Sequence, residues 1–369
     1  MKVVLTGGGT GGHIYPALAI GDYLRAMDSE TELLYIGTKK GLESQILQWA
    51  DIPLKTVWAS GLSRKINLAF FKALLKTFIG TLQAIKHLRK FKPDIVIGTG
   101  GFVCAPTILA ARLLRIPCLL HEQNAYPGLT NRLLAPICSA VMTNFSEVGS
   151  YLSPKAKIIE TGLPIRESIL MLSKDEAMES FGLDKDKKTL LVTGGSRGAK
   201  SINNAMVGVL EKLLKYENLQ IIFATGKDNY EEVLAQVEKL SLSEEKRKRL
   251  ILKSYLHDMP HALVASDIVL SRAGATFIAE MTILALPGIL VPYPFASENH
   301  QMYNAKAIVQ AGGAELIEDS ELNPLKLEEK LIPFLSDEVY YHGKKTALEK
   351  MAHKDVLEKI RQVVMETKI

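Results

Sequence analysis

The apolar positions of the chain fall into two alternating patterns. Short runs rich in leucine and β-branched residues predict buried parallel strands, and longer stretches with apolar residues every three or four positions predict covering helices. Strands are predicted at residues 3–6, 33–36, 95–97, 118–120 and 141–143, and again at residues 189–193, 220–224, 268–270 and 288–291. Because the β/α alternation runs through twice, we expect an α/β protein with two doubly wound parallel sheets.

A turn-rich stretch around Gly162 and Pro164 interrupts this pattern and predicts the join between two domains. The first domain is placed at residues 1–162 and the second at residues 163–354, which suits a chain of 369 residues. A last helix at residues 356–365, within a C-terminal segment of about residues 355–369, is expected to pack back on the first domain.

Each predicted sheet has a glycine-rich loop after its first strand. The first loop, residues 7–13, reads GGGTGGH and leads into a helix expected to begin near Tyr15 or Pro16. The second loop, residues 194–200, reads GGSRGAK. Glycine lets the backbone approach a ligand closely, and a helix N-terminus offers unpaired N–H groups to an anion. We therefore expect a diphosphate or a polar sugar oxygen here, and a substrate held between the two loops across an interdomain cleft.

The first loop has the GxGxxG spacing of dinucleotide sites, but its surroundings do not complete such a site. The second strand is followed by Thr38, Lys39 and Lys40, where a ribose-binding carboxylate would be needed. Ile14 stands where a Walker A loop needs lysine. A tight turn that binds nothing is the remaining alternative, and the conformational cost of so many glycines disfavours it.

Charge is distributed unevenly along the chain. Residues 1–162 contain 18 basic and 10 acidic side chains and the rest contain 27 basic and 30 acidic ones, so the halves should meet different partners. Cys104, Cys118 and Cys138 lack the spacing of a disulfide scaffold or a zinc site. The N-terminus lacks the apolar stretch of a signal peptide, and no segment has about 18 uninterrupted apolar residues. We therefore expect a cytoplasmic protein without a spanning helix.

Residues 52–93 contain no acidic side chain and combine lysines with a large apolar arc. On a helical wheel the apolar arc comprises Leu68, Phe71, Leu75, Phe78, Ile79 and Leu82, and Lys65, Lys72, Lys76 and Lys90 lie along its edge. This pattern is typical of a helix that docks on an anionic membrane surface without spanning it. The alternative is a domain-packing helix with a solvated lysine face, and about half of the apolar arc is expected to pack against the domain in either case. Nucleic acid is not expected, since arginine and aromatic residues are scarcely interleaved.

Candidate catalytic groups follow predicted strands, where doubly wound sheets bind their ligands. His13 ends the first glycine loop and belongs to the residue type that titrates near neutral pH, which makes it a candidate general base. His121 and Glu122 follow another strand, and either could be the base or orient it.

Two possible metal motifs are weak. The DKD run at residues 184–186 lies in a lysine-rich loop, and Pro260 between His257 and His261 indicates a helix start instead of a ligand pair on one helical face. No metal is expected.

Several motifs together resemble one known family over nearly the whole chain. They are the two glycine loops, residues 121–124 (HEQN), and residues 99–106, 162–166 and 272–280. They are similar to the MurG family, bacterial transferases that move N-acetylglucosamine (GlcNAc) from UDP-GlcNAc to undecaprenyl-diphospho-MurNAc-pentapeptide in peptidoglycan synthesis. The resemblance implies the GT-B fold, with two Rossmann-like domains around a cleft, and an inverting hexosyltransferase without a cofactor. It also implies a peripheral location on the cytoplasmic face of the cell membrane, alongside other cell-wall synthesis proteins.

The resemblance further implies roles for individual residues. The first loop supplies the substrate-binding candidates Thr10, Gly11 and Gly12, and Asn124 is expected near the donor sugar or the acceptor. Donor-binding roles are implied for Arg166 and Ser196 (diphosphate), Leu256 (uracil), Glu280 (ribose), Gln301, Ala275 and Thr276.

Three positions depart from the family pattern. Phe102 stands where tyrosine is usual, Leu163 where asparagine is usual, and Arg197 where glutamine is common. Two alternative functions remain open. One is another GT-B enzyme, either a lipid glucosyltransferase or a UDP-GlcNAc epimerase, and the other is a non-catalytic, membrane-recruited nucleotide-sugar sensor.

Overall fold

The computed structural model describes residues 1–62 and 66–368. Two compact units divide the chain: unit 1 contains residues 1–164 and the segment from His353 onwards, and unit 2 contains residues 165–352. The boundary after Pro164 lies two residues beyond the position expected from the turn-rich stretch.

Unit 1 is built on a parallel sheet that has seven strands within the described residues. Its strands are β1 (Lys2–Thr6), β2 (Glu32–Gly37), β3 (Leu54–Thr56), β4 (Ile95–Gly98), β5 (Cys118–Glu122), β6 (Ala140–Thr143) and β7 (Ile158–Glu160), in the order β3-β2-β1-β4-β5-β6-β7. Its helices are α1 (Gly11–Met27), α2 (Leu42–Ile46), α3 (Leu68–Phe91), α4 (Cys104–Leu113), α5 (Leu129–Leu134) and the C-terminal α16 (Val356–Thr367). Ile360, Val363 and Val364 of α16 are buried in the same core as the strands, which places the last helix in unit 1.

Unit 2 repeats this plan with a parallel sheet of six described strands. They are β8 (Lys188–Thr193), β9 (Leu219–Ala224), β10 (Leu250–Lys253), β11 (Ile268–Ser271), β12 (Gly288–Leu290) and β13 (Ala314–Leu316), in the order β10-β9-β8-β11-β12-β13. Its helices are α6 (Glu167–Met171), α7 (Lys174–Ser180), α8 (Lys200–Leu213), α9 (Tyr230–Glu238), α10 (Glu244–Lys248), α11 (Met259–Val264), α12 (Ala275–Ile283), α13 (His300–Gln310), α14 (Pro324–Ser336) and α15 (Glu338–Met351). The predicted α/β class with two doubly wound parallel sheets is confirmed.

The strands that the apolar pattern missed are β3, β7, β10 and β13. All four lie at the edges of their sheets. Because an edge strand is covered by fewer neighbours, it does not need a continuous apolar run, and three of these four strands have only three residues. The central strands, buried on both faces, are the ones that periodicity predicted.

The first helix begins earlier than predicted. Gly11 and Gly12 already have helical backbone, so α1 starts four residues before Tyr15 and Pro16 lies inside it. The expectation that Pro16 occupies the first turn was therefore wrong. His13 consequently belongs to the first turn of α1, where backbone N–H groups have no acceptor within the helix.

Helix α3 packs through small side chains and exposes its large apolar ones. Its buried residues are Ala73, Gly80, Thr81, Ala84 and Leu88. A Cβ added at Gly80 would lie 2.0 Å from the Trp58 carbonyl oxygen, so this helix approaches the backbone of its own unit very closely. The expectation that about half of the apolar arc packs in the domain was wrong: Leu68, Phe71, Leu75, Phe78 and Leu82 are all exposed, and only Ile79 of the arc is half-buried. Lys65 lies outside the described residues.

By length and composition α3 is also long and apolar enough to cross a membrane, the one such helix in the described part of the chain, with a mean hydropathy of 1.4 over its most apolar window. The criterion of uninterrupted apolar residues did not detect it, because its lysines interrupt the run. In the fold, however, α3 connects the parallel strands β3 and β4 of one sheet and packs on α4. This position is that of a crossover helix in a parallel sheet.

Candidate active site

The glycine loop of unit 1 leaves β1 and enters α1 along a path that depends on its missing side chains. A Cβ at Gly7 would lie 2.1 Å from Thr99 Oγ1, and Gly9 has φ +85°, a backbone conformation that favours glycine. Thr10 and Gly12 are exposed and Gly11 is half-buried at the start of the helix. The predicted contacts Thr10, Gly11 and Gly12 therefore offer first-turn N–H groups to solvent, as an anion or a polar oxygen requires.

His13 is oriented by a hydrogen bond to Gln123. The Gln123 Nε2 atom donates to the carbonyl oxygens of Thr99 and His121, each at 2.9 Å, so Gln123 Oε1 is the atom that faces His13 Nδ1, at 3.1 Å. Because this oxygen can only accept, the neutral ring carries its proton on Nδ1 and its lone pair on Nε2. His13 is thus prepared to accept a proton at Nε2, as a general base must.

His121 is fully buried, and both of its ring nitrogens are engaged. Its Nε2 donates to the Gly162 carbonyl oxygen at 2.9 Å, and its Nδ1 lies 3.2 Å from Gln123 Nε2. Burial lowers the pKa of His121 to about 4, which the hydrogen bond to Gly162 opposes only in part. The geometry therefore disfavours His121 as the base and assigns it to positioning Gln123, which in turn holds His13.

The buried His121 gives unit 1 an acid-sensitive stability. Its folded pKa of about 4 lies below the value of about 6.5 in the unfolded chain, so the unfolded state binds more protons between these values. The free energy of unfolding is therefore expected to be intact above pH 6.5 and to fall by up to roughly 3 kcal/mol as the pH drops towards 4. Urea unfolding followed by circular dichroism should show a flatter pH dependence for His121→Asn. A matched slope in wild type and variant would contradict this assignment, and His342→Asn, at an exposed position, is the control.

Glu122 is also buried, and four N–H groups occupy its carboxylate. Oε1 accepts from the backbone and side-chain nitrogens of Asn124, at 3.0 and 3.2 Å, and Oε2 accepts from Gly128 N and Asn131 Nδ2, at 3.1 and 2.7 Å. A carboxylate held in this way shapes the loop after β5 and has no lone pair directed to solvent. Of the three predicted base candidates, the geometry favours His13. Asn124 stays partly exposed at the edge of this loop.

The glycine loop of unit 2 repeats the arrangement between β8 and α8. Gly195 and Gly198 have φ values of +85° and +73°, and a Cβ at Gly198 would lie 2.0 Å from the Thr225 carbonyl oxygen. Ser196 and Arg197 at the tip are exposed. This loop therefore brings backbone and a hydroxyl to the carboxyl end of the sheet, where doubly wound folds bind ligands.

Two cavities share the walls of this loop. A cavity of about 210 Å³ is lined by Ser196, Leu256, Arg166 and neighbouring residues, and one of about 450 Å³ is lined by Ser196, Arg197, Gln301 and residues of the β11 to α12 turn. Ala275 and Thr276 form the start of α12 directly after Gly274, which lines the larger cavity. The structure thus brings most of the predicted donor contacts together around one loop.

Arg166 and Glu280 form a pair that the sequence did not predict. Arg166 Nε donates to Glu280 Oε1 at 2.7 Å and Arg166 Nη2 donates to Glu280 Oε2 at 2.8 Å. The Glu280 side chain is 2 % exposed, whereas that of Arg166 is 45 % exposed and lines the smaller cavity. Burial raises the pKa of Glu280, and the Arg166 guanidinium counteracts this effect. Glu280 is therefore a buried helix residue and not an exposed one. It is connected to the smaller cavity through Arg166, which lines that cavity.

Arg272 lines the larger cavity, although the sequence suggested no individual role for it. Its guanidinium donates to Asp319 Oδ1 at 2.5 Å and to the carbonyl oxygens of Val291 and Pro292, each at 3.2 Å, and its carbon lies 5.6 Å from the centre of the Tyr293 ring. Arg272 and Tyr293 both line the larger cavity. The position of Arg272 after β11 in the sequence does not reveal these partners.

The three departures from the family pattern fall in different surroundings. Leu163 is buried, at 2 % exposure, and has a packing role. Phe102 is half-buried against the first glycine loop, where a Cβ at Gly9 would lie 3.5 Å from its ring. Arg197 is exposed and lines the larger cavity of unit 2, where it adds positive charge. Among residues 1–62 and 66–368, no group of three or more His, Cys, Asp or Glu side chains could hold a metal ion.

Comparisons with known proteins cover both units. Residues 3–143 match the glycosyltransferase family 28 N-terminal domain, and residues 189–360 match the glycosyltransferase family 28 C-terminal domain. The chain is 45 % identical over 364 residues to the UDP-N-acetylglucosamine–N-acetylmuramyl-(pentapeptide) pyrophosphoryl-undecaprenol N-acetylglucosamine transferase of Desulforamulus reducens, covering 99 % of this chain and 98 % of that protein.

Solved structures agree with these matches. The crystal structure of Acinetobacter baumannii MurG superposes with a TM-score of 0.80 at 26 % identity, covering 99 % of both chains. A UDP-GlcNAc 2-epimerase from Neisseria meningitidis superposes with a TM-score of 0.69 at 16 % identity, covering 99 % of this chain and 100 % of that one. The second likeness is one of fold alone.

Proposed function

Since the chain belongs to glycosyltransferase family 28 and, within it, to the UDP-N-acetylglucosamine–N-acetylmuramyl-(pentapeptide) pyrophosphoryl-undecaprenol N-acetylglucosamine transferases, we propose that it moves GlcNAc from UDP-GlcNAc to the lipid-linked MurNAc-pentapeptide. The chain is a hexosyltransferase of peptidoglycan synthesis with the GT-B architecture. The observation that carries this conclusion is 45 % identity to a curated transferase over 99 % of the chain, both units included.

Unit 2 is proposed to bind the UDP-GlcNAc donor. Its two cavities meet at the second glycine loop, where Ser196 and the loop N–H groups can hold a diphosphate. Leu256 and Tyr255 line the smaller cavity, and their apolar surface suits a uracil ring. Gln301 lines the larger cavity, which is proposed to hold the sugar. Arg166 and Arg197 supply the positive charge that a departing diphosphate needs without an ion.

Unit 1 is proposed to bind the acceptor and to supply the base. Thr10, Gly11 and Gly12 present the N–H groups of α1 to the acceptor, and His13 stands at their end. The acceptor hydroxyl attacks C1 of GlcNAc, His13 Nε2 takes the hydroxyl proton, and UDP leaves with the electrons of the C1–oxygen bond. An in-line attack of this kind inverts the configuration at C1.

A panel of donors and acceptors tests this function. GlcNAc from UDP-GlcNAc should appear on a lipid-diphospho-MurNAc-peptide and on no acceptor lacking the diphosphate, with UDP-glucose and UDP-galactose as control donors. Absence of transfer across the panel, in a protein that still binds UDP, would instead favour the nucleotide-sugar sensor.

The exposed face of α3 is proposed to dock on the anionic cytoplasmic surface of the cell membrane. Leu68, Phe71, Leu75, Phe78 and Leu82 leave a continuous apolar strip in solvent, while the helix packs through its opposite face. Lys72 and Lys76 are exposed beside the strip, and no acidic residue occurs from 52 to 93. Apolar insertion and lysine attraction to anionic headgroups act together on such a surface, and a lipid-linked acceptor is found there.

Charge reversal at Lys72 and Lys76 should weaken this attachment. Each lysine near an anionic surface contributes about 1 kcal/mol, so replacing both by glutamate should lower binding to vesicles containing anionic lipid by about thirtyfold or more. Binding of the wild type should also fall with added salt. The measurement is co-sedimentation with such vesicles.

The matched control reverses Lys239 and Lys248, two exposed lysines of unit 2. This control should sediment like the wild type. A folded Lys72→Glu/Lys76→Glu protein that still sediments fully would make α3 an ordinary solvated helix and remove the membrane proposal.

A further inference from the structure

Glu43 is a fully buried carboxylate with one unused oxygen beneath the first glycine loop. It belongs to α2 and has 0 % exposure. Its Oε1 accepts from the Thr38 backbone nitrogen at 2.8 Å and from Thr38 Oγ1 at 2.5 Å. Its Oε2 has no hydrogen-bond partner among the described residues. A buried acceptor without a donor is costly and calls for an explanation.

The Glu43 side chain fits into space left by three glycines from two segments, Gly8 of the first glycine loop and Gly37 and Gly41 between β2 and α2. A Cβ at Gly8 would lie 2.8 Å from Oε2, one at Gly41 would lie 2.4 Å from Oε2, and one at Gly37 would lie 2.8 Å from the Glu43 Cγ atom. Of these segments, that of Gly8 is the glycine loop proposed to hold the acceptor. The carboxylate is therefore packed directly against that loop, through space left free by missing side chains.

Contacts continue from Gly8 towards the proposed base. The Gly8 N–H donates to the Gly100 carbonyl oxygen at 3.3 Å, a long bond, and a Cβ at Gly101 would lie 2.2 Å from the Gly8 carbonyl oxygen. A Cβ at Gly100 would lie 3.0 Å from the His13 ring. A shift of the loop at Gly8 would thus displace Gly100 and Gly101, and through them the His13 ring.

We propose that Glu43 is a positioning residue for the acceptor. When a lipid diphosphate occupies the first glycine loop, the Gly8 N–H donates to Glu43 Oε2 in place of the Gly100 carbonyl oxygen, and this hydrogen bond fixes the loop beside His13. The long Gly8 bond is the weak contact that this exchange replaces. A carboxylate can accept such a bond, whereas a glutamine placed with its oxygen on Thr38 would present an NH2 group that cannot. The inference rests on the proposed function in assigning the acceptor to this loop.

Glu43→Gln tests the exchange, because it keeps the size and the Thr38 contact while removing the second acceptor. We expect kcat/KM for the lipid acceptor to fall by about ten- to a hundredfold, with KM for UDP-GlcNAc and the melting temperature unchanged. Glu32→Gln, which removes an exposed carboxylate from the same unit, should behave like the wild type. Wild-type acceptor kinetics in Glu43→Gln would overturn the proposal, and so would a loss of stability with equal losses for both substrates.

Hydrogen exchange provides a readout that does not need turnover. Undecaprenyl diphosphate in detergent micelles should protect residues 7–13 in the wild type and protect them far less in Glu43→Gln. If the wild type is protected but transfers no GlcNAc, the proposed activity is contradicted and the role of Glu43 is supported. Equal protection in both proteins, or none in the wild type, would overturn the role of Glu43. If Glu43→Gln does not fold, Glu43→Asp, which withdraws the carboxylate by one methylene, should show the same acceptor defect, and wild-type behaviour of that variant would overturn the proposal.

Discussion

Replacing His13 by alanine is expected to lower kcat for GlcNAc transfer by about two to four orders of magnitude, the range over which a positioned general base contributes. The reason is the hydrogen bond from Nδ1 to Gln123, which leaves Nε2 as the proton acceptor. UDP affinity should not change, because the two cavities proposed to bind the donor lie in unit 2. Steady-state kinetics and calorimetric titration with UDP measure the two quantities separately.

Gln123→Ala separates the base from its support. Without Oε1 the His13 ring loses its orientation, so kcat should fall less than in His13→Ala and KM for the donor should stay unchanged. His342→Ala is the control, since that histidine is exposed in unit 2. Normal turnover by His13→Ala would show that another group, or water, accepts the proton.

Removal of Glu280 should have the second largest effect, on donor binding. Glu280→Ala is expected to lower the affinity for UDP by about 10- to 150-fold, the equivalent of about 1.5 to 3 kcal/mol for a hydrogen bond to a charged group. Two routes contribute to the loss: the carboxylate itself as a partner for ribose hydroxyls, and the orientation of Arg166, which it holds with two hydrogen bonds.

The 2′-deoxy analogue of UDP distinguishes these routes. If Glu280 binds the ribose diol, the analogue should bind wild type poorly and bind Glu280→Ala about as well as UDP does. If Glu280 acts only through Arg166, the variant should lose the same factor for both ligands, and Arg166→Ala should reproduce that loss. Glu338→Ala removes an exposed carboxylate of the same unit and is the control. Unchanged UDP affinity in Glu280→Ala, measured by calorimetry, would exclude Glu280 from the donor site.

Sequence periodicity predicted the parts of the fold that are buried on both faces. The β1 and β8 strands and their glycine loops were placed because a central parallel strand needs a continuous apolar run and a tight turn needs glycine. The edge strand β13 and the early start of α1 were missed. Tertiary contacts decide both, because an edge strand pairs with only one neighbour and because α1 includes two glycines and a proline that disfavour a helix locally.

The sequence predicted which residues belong to the candidate site better than it predicted their burial and their contacts with one another. His13 followed from its place at the end of a loop, but the burial of His121 and Glu122 depends on tertiary contacts, with Gly162 for His121 and with the loop after β5 for Glu122. The Arg166–Glu280 pair joins residues that are 114 positions apart, and no local pattern announces it. Glu43 had no signal other than being acidic, because the space it occupies is created by Gly37 and Gly41 near it in the chain together with Gly8 from the distant first glycine loop.

UDP release and GlcNAc incorporation can be measured together in one reaction, with and without the lipid-diphospho-MurNAc-pentapeptide. A transferase with a donor site in unit 2 and a base in unit 1 should release one UDP for each GlcNAc transferred, and should release almost none without the acceptor. UDP release from UDP-GlcNAc alone, at the rate seen with the acceptor present, would contradict this function, because it would show that water and not the lipid-linked acceptor takes the sugar.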